Sequence, residues 1–230
     1  MPRILLVKTT SMGDVIHNLA VASDIAACVE DAHIDWVVEN SFAAIPKLHP
    51  AVERVIPVAI RQWRKRIYLP ATWEKIRKSL QQIRQNKYDY IIDTQGLLKS
   101  ALIASRARGS VYGLDRISVR EPMASRFYDY KFQVPKNQHA VTRNRQLAAA
   151  VFGYDLAATP LDYGIEKTVQ TSYSGGSSPD KTIVFLHGTS RESKLWEESN
   201  WTALGQKLGE QFTSIVLPWG NGTENKRAMR

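Results

Sequence analysis

The sequence predicts an α/β protein: a parallel, helix-covered sheet of Rossmann type, followed by the start of a second unit of the same kind. Three observations carry this expectation. Short apolar, strand-like runs alternate with helical patterns through the first half of the chain. A polar, Gly/Ser-rich stretch, KTVQTSYSGGSSPD (167–180), then breaks the pattern as a linker would. After it the alternation restarts.

The elements follow in order. RILLV (Arg3 to Val7) reads as a buried strand, Val15 to Val29 as a helix, IDWVVE (Ile34 to Glu39) and RVIPV (Arg54 to Val58) as two further strands. Thr72 to Asn86 reads as a helix, YDYIID (Tyr88 to Asp93) as a strand, Gly96 to Ala107 and His139 to Phe152 as helices. Beyond the linker, TIVFL (Thr182 to Leu186) and SIVL (Ser214 to Leu217) read as strands flanking a helix from Glu197 to Phe212. The expected organisation is therefore residues 1–166 as one domain, 167–180 as linker and 181–230 as part of a second. Two strands and the opening of one more helix are too little for an independent doubly wound sheet, so this second domain is expected to be truncated.

Composition narrows the function. With 230 residues, 43% of them apolar, the chain can build a sizeable core. It has no apolar run long enough to span a bilayer, and Met1 to Lys8 is too short an apolar stretch for a signal peptide, which makes the cytoplasm the expected compartment. The single Cys28 cannot pair within the chain and fits a reducing compartment. The five histidines show no metal-ligand spacing and no second cysteine supports a zinc site, so no metal is expected. Without a G-x-S-x-G elbow, a hydrolase triad has no anchor. The outlying property is charge: 31 Lys and Arg against 22 Asp and Glu give +9, which points to an anionic partner. Nucleic acid, an anionic membrane surface and a phosphorylated substrate all answer to that description. Basicity is the sole support for nucleic acid, because no recognised nucleic-acid motif accompanies it.

Three stretches have the residue types for chemistry. In VKTTSMGDVIH (7–17) a strand runs into a Gly-containing turn and a helix, placing Ser11 to Asp14 where open α/β sheets bind ligands. Asp14 there either meets a substrate or simply stabilises the first helical turn. RQWRKR (61–66) packs four cations and a tryptophan into six residues, a solvated charge run or one wall of an anion cleft shared with Lys99 and Arg120. In FLHGTSRESKLW (185–196) a Gly-Thr-Ser turn precedes Lys194, either as an ordinary strand-to-helix turn or as a diphosphate cradle. Glu224, after LPWG, is open in the same way between a helix N-terminal carboxylate and a ribose ligand.

Taken together, VKTTSMGDVIH, DWVVE, VERVIPVAIRQWRK, DTQGLLKS, REPMASRFY, FLHGTSRESKLW and LPWG resemble, in order and spacing, the lipopolysaccharide heptosyltransferase I family of Gram-negative bacteria, within glycosyltransferase family 9. The resemblance covers essentially the whole chain, and KTTSMGD and RQWRK look more like the first heptosyltransferase than the second. It implies a GT-B fold: two Rossmann-like domains, the first for acceptor and the second, incomplete here, for nucleotide sugar. The implied reaction is metal-free, inverting transfer of L-glycero-D-manno-heptose from ADP-heptose to Kdo2-lipid A, at the cytoplasmic face of the inner membrane and without a cofactor. Carried over by position, Asp14 matches the catalytic base. Thr189, Ser190 and Lys194 match the diphosphate-contacting turn, Glu224 a donor nucleotide ligand, and Arg61, Arg64, Lys99 and Arg120 the acceptor-side cations. The family's second domain extends further than Arg230. The alternative expectation is therefore a catalytically inactive chain that only binds the anionic lipid A core.

Overall fold

The computed structural model describes residues 1–165, 181–189, 192–209, 211–212 and 214–230. The chain divides into two compact units, Met1–Val169 and Gln170–Arg230. Residues 167–180, assigned above to a linker, lie outside the described residues, as does Ser190.

The first unit is built on six parallel strands in the order β3-β2-β1-β4-β5-β6. They are β1 (Arg3–Val7), β2 (His33–Glu39), β3 (Val52–Val58), β4 (Tyr90–Asp93), β5 (Val111–Leu114) and β6 (Tyr130–Phe132). Continuous apolar runs are what a parallel sheet covered on both faces requires. Ile4 to Val7, Trp36 to Val38, Ile91 and Ile92 accordingly have no exposed surface. Around the sheet run α1 (Met12–His17), α2 (Leu19–Cys28), α3 (Ile60–Lys65), α4 (Pro70–Arg84), α5 (Leu98–Ala104) and α6 (Ala140–Phe152).

The structure corrects several expected elements. The helix expected from Val15 to Val29 is two helices, α1 and α2, meeting at the fully buried Asn18. The RQWRKR run is largely helical, forming most of α3 and leaving only Arg66 beyond it. Helix α4 starts at Pro70, two residues earlier than expected, because proline's fixed φ and missing N–H suit a first helical position. Helix α5 starts only at Leu98, since Gly96 takes a left-handed conformation (φ 66°) and Leu97 is extended. Strands β5 and β6 were not expected at all; they are four and three residues long, and VYGL has a glycine in its middle.

That glycine is required. A β-carbon on Gly113 would lie 2.4 Å from two ring atoms of Tyr128. The Tyr128 hydroxyl donates to Asp93 Oδ2 (2.8 Å), so the ring cannot move aside without breaking a buried bond. Gly113→Ala is expected to destabilise the fold by about 1–3 kcal/mol, as overpacking does. Thermal unfolding followed by circular dichroism measures this as a lower Tm.

In the second unit β7 (Thr182–Val184) pairs in parallel with β8 (Ser214–Val216), and α7 (Glu198–Leu208) and α8 (Gly222–Ala228) follow them. Phe185 packs on Trp201 and Trp201 on Trp196, while Val184 and Leu186 remain exposed.

Candidate functional site

Strand β1 lies between β2 and β4, so the chain leaves it to one side and returns on the other. Such a switch in strand order opens a crevice beyond the carboxyl ends of the strands. Val7 is in register with Val37 and with Asp93, which aligns the ends of three strands and the loops that follow them.

Those loops are fixed by two buried side chains from the β4 end. Asp93 accepts from the amides of Gln95 (2.8 Å) and Gly96 (3.2 Å), from Ser100 Oγ (2.8 Å) and from the Tyr128 hydroxyl. Burial pushes its carboxyl up, against these four donors. Gln95 Oε1 accepts from the amides of Thr9 and Thr10, both at 2.9 Å, tying the turn after β1 to the turn after β4. The Thr10–Ser11 peptide bond within that turn is cis.

Asp14, in the first turn of α1, is half-buried. Its Oδ2 accepts from the Ser11 amide and the Ser11 hydroxyl, each at 2.8 Å. Burial pushes the carboxyl up; the two Ser11 donors, with Lys8 and Arg120 nearby, outweigh it and hold the group below the usual carboxylate range. Asp14 is thus ionised at neutral pH. Both Ser11 bonds go to one oxygen, leaving Oδ1 free of described hydrogen-bond donors.

Around Asp14 is a cleft of about 470 Å³ whose lining includes Lys8, Gln95, Arg120, Lys136, Arg143 and Asn144. Lys8 is only 5% exposed and donates to the Thr94 carbonyl (2.7 Å). Burial lowers its ammonium to about 8, with Asp14 and Asp93 opposing and Arg143 and Arg120 reinforcing the shift. A second cationic group adjoins the same strand ends. Lys99 Nζ donates to Thr10 Oγ1 (3.0 Å), and its ammonium is lowered by burial and then by Arg61, with Arg64 adding and Glu39 and Glu121 opposing. Arg61 stands over the Phe42 ring, 5.8 Å from its centroid. Of the residues singled out in the sequence, the structure brings Asp14 and Arg120 into one cleft and puts Lys99 among Arg61 and Arg64 beside it. Sequence reasoning missed Lys8, Arg143, Lys136 and Gln95. Only Lys8 had a signal, a charge directly after the apolar run ILLV.

In the second unit Thr189 follows β7 and Glu224 lies in the first turn of α8, after β8. Glu224 Oε2 accepts from the Gly220 amide (2.7 Å), and a β-carbon on Gly188 would stand 3.0 Å from the Glu224 carboxyl. The two strand-end turns therefore meet at Glu224. Lys194 ends an exposed one-turn 3₁₀ helix and makes no side-chain bond to a described residue. Among the described residues no group of three His, Cys, Asp or Glu side chains could hold a metal ion.

Residues 76–230 match the model of "Glycosyltransferase family 9 (heptosyltransferase)". The chain belongs to glycosyltransferase family 9. It is similar to the family's lipopolysaccharide heptosyltransferase 1 of Pseudomonas aeruginosa, at 45% identity over 99% of this chain and 64% of that protein. The Salmonella typhimurium protein of the same name is 43% identical over 99% of this chain and 72% of its own length. Among solved structures, E. coli heptosyltransferase WaaC with ADP-2-deoxy-2-fluoro heptose superposes with a TM-score of 0.92 and 42% identity, over 99% of this chain and 72% of that one. E. coli heptosyltransferase II, at 20% identity and a TM-score of 0.73, shares the fold. This family 9 chain thus has the GT-B architecture and spans roughly two thirds of the length of the relatives it matches.

Proposed function

We propose that this chain is the greater part of an inverting heptosyltransferase that moves L-glycero-D-manno-heptose from ADP-heptose to a Kdo sugar of Kdo2-lipid A. The observation that carries the reading is an ionised Asp14 facing a cleft whose other charged residues, Lys8, Arg120, Lys136 and Arg143, are all cations, in a chain whose relatives are heptosyltransferases. The acceptor hydroxyl oxygen bonds to the anomeric carbon as that carbon's bond to the diphosphate oxygen breaks. Its proton passes to Asp14, and the electron pair of the broken bond leaves with ADP. Ser11 orients the carboxylate through Oδ2, and Oδ1 takes the proton.

A carboxylate held below its usual range is a weak base, so the step also depends on water leaving the cleft as substrates fill it. Arg61, Arg64, Lys99 and Arg120 bind the acceptor's carboxylates and phosphates. Thr189, Ser190 and Lys194 take the diphosphate and stabilise its developing charge, and Glu224 accepts from the ribose. The place of action is the cytoplasmic face of the inner membrane, where the protein binds peripherally. Among the described residues no helix is long and apolar enough to cross a membrane.

Mass spectrometry of Kdo2-lipid A tests the reading, after incubation with ADP-heptose and either this chain or a chimera adding the carboxyl-terminal third of the Pseudomonas aeruginosa relative. A gain of one heptose that Asp14→Ala abolishes is the expected result. No gain from either folded protein overturns it. A gain from the chimera alone assigns this chain the role of acceptor-binding part.

Lys8 gives the reaction a pH dependence. The group is an ammonium below about pH 8 and neutral above it, so its attraction for an anionic acceptor is present below that pH and lost above. One charge at partly buried range is worth about 1 kcal/mol, so the acceptor KM is expected to rise about fivefold as pH climbs through this window. Lys8→Met should start from the higher KM and lose the step, measured as KM against pH.

A further inference from the structure

Three consecutive residues after β4 tie the parts of the Asp14 cleft together. The Thr94 carbonyl accepts from Lys8 Nζ (2.7 Å), the Gln95 side chain bridges to Thr9 and Thr10, and the Gly96 carbonyl accepts from the Glu121 amide (3.1 Å), next to Arg120. A β-carbon on Gly96 would stand 3.1 Å from a Val119 methyl and 3.5 Å from the Arg120 amide, so the Arg120 loop rests directly on this turn. Gln95 is held between that loop and the turn that leads to Asp14.

Gln95 is only 7% exposed, and the described hydrogen bonds of its side chain all go to one atom. Oε1 accepts from the Thr9 and Thr10 amides, both at 2.9 Å, with the Thr9 hydroxyl at 3.4 Å. Two backbone N–H donors settle which end of the side-chain amide is oxygen, because an NH2 group turned toward them would meet donors alone. Nε2 is the atom left over, with two hydrogens to donate. No described residue accepts from it, and it is not a sealed atom: Gln95 lines the cleft.

We infer that Gln95 Nε2 donates to a carboxylate oxygen of the acceptor sugar, making Gln95 a specificity-determining residue that orients this sugar against Asp14. The inference rests on the proposed transfer reaction for the identity of the acceptor. The charges around Nε2 select an anionic oxygen, since Lys8, Arg120, Lys136 and Arg143 line the cleft against one acid, Asp14. A lysine ammonium attracts without fixing direction, whereas an amide held by two backbone bonds donates along one line. The carboxylate belongs to the same sugar as the hydroxyl that must meet Asp14, and the phosphates lie further along the acceptor. Oε1 thus fixes the turn that presents the base while Nε2 fixes what is presented to it.

Calorimetric titration of deacylated Kdo2-lipid A into the 230-residue chain, with no donor present, tests the inference. In Gln95→Glu one oxygen still accepts from Thr9 and Thr10, whose amides together with Lys8 keep the group ionised at neutral pH, but the other oxygen has no proton to give. This variant is expected to bind about 30-fold more weakly, with a Tm near the parent's. A residue that only held the turn would be replaced by Glu without such a loss. The same titrations with the acceptor's sugar carboxyls methyl-esterified complete a double cycle: the phosphates are unchanged, so the penalty is expected to shrink to about threefold or less. Gln95→Met runs the cycle without adding a charge should the Glu variant not fold, and is expected to lose about tenfold more on the acid than on the ester. Parental binding by folded Gln95→Glu, or a penalty that the ester keeps in full, overturns the inference and leaves the transferase reading standing. No binding of the acid by the folded parent overturns both.

Discussion

Asp14→Asn is expected to lower the rate of heptosyl transfer by about 10²–10⁴, the usual contribution of a positioned general base. The substitution keeps the shape of the side chain and an oxygen for the Ser11 amide and hydroxyl, which bond to Oδ2 at 2.8 Å in the parent. What it removes is an ionised oxygen able to take a proton. A carboxylate that merely stabilised α1 would give a different result: a change in stability within about 1 kcal/mol and near-parental turnover. Steady-state kinetics on the parent and the Asn variant, with thermal unfolding of both, separate the two. Retention of parental kcat by a folded Asn variant would sink the base assignment. The pH profile adds a second check. Asp14 is held below the ordinary carboxylate range, so activity depending on its ionised form is present through neutral pH and falls only in acid, below that ordinary range. An acid limb centred near neutrality would belong to another group.

How far the sequence reached depends on where the information lies along the chain. Strands β1 to β4 were legible because each contains a short apolar run bounded by polar turns, and such runs show themselves locally. Strands β5 and β6 were not, since VYGL and YKF are held by their neighbours' registers rather than by patterns of their own. The α1–α2 break was hidden for a similar reason. Asn18 lies inside an unbroken helical pattern, and only its burial between elements marks the change. In the site, the place of Asp14 at a strand-end turn was legible from the local pattern, and Arg61, Arg64, Lys99 and Arg120 stood out as cations near strand ends. Gln95 was invisible, because its work is to bridge to Thr9 and Thr10, some 85 residues away. Arg143 and Lys136 reach the Asp14 cleft from the far end of the first unit, and nothing near them in the chain distinguishes them from surface charge.

The same distance argument applies to the ion pair whose loss should damage the fold most. Asp24 on α2 and Arg145 on α6 are 121 positions apart, and their side chains are 1% and 10% exposed. Arg145 donates Nε to Asp24 Oδ2 (2.8 Å) and a terminal nitrogen to Oδ1 (2.9 Å). The same nitrogen reaches the carbonyls of Thr159 (2.8 Å) and Pro160 (3.1 Å), while the Tyr154 hydroxyl donates to Asp24 Oδ2 (3.1 Å). One guanidinium thus joins two helices and the segment after α6. Arg145→Ala leaves a buried carboxylate with only the tyrosine as partner and frees two carbonyls. It is expected to destabilise the first unit by about 3–5 kcal/mol, the cost of breaking a buried pair from one side. Urea unfolding followed by tryptophan fluorescence measures this as a fall in midpoint at constant slope. The pair itself need not add net stability, because two buried charges cost nearly what their attraction returns. Asp24→Leu together with Arg145→Met should therefore recover most of the loss, and a double variant no better than Arg145→Ala would mean that the carbonyls, not the charge, hold the helices. The functional readout follows from position. Helix α6 also carries Arg143, whose guanidinium donates to the Ser118 carbonyl (2.6 Å) at the cleft wall, and α2 follows α1, whose first turn holds Asp14. Slippage of α6 against α2 would separate Arg143 from Asp14, so at temperatures where it remains folded Arg145→Ala should raise the acceptor KM more than it lowers kcat.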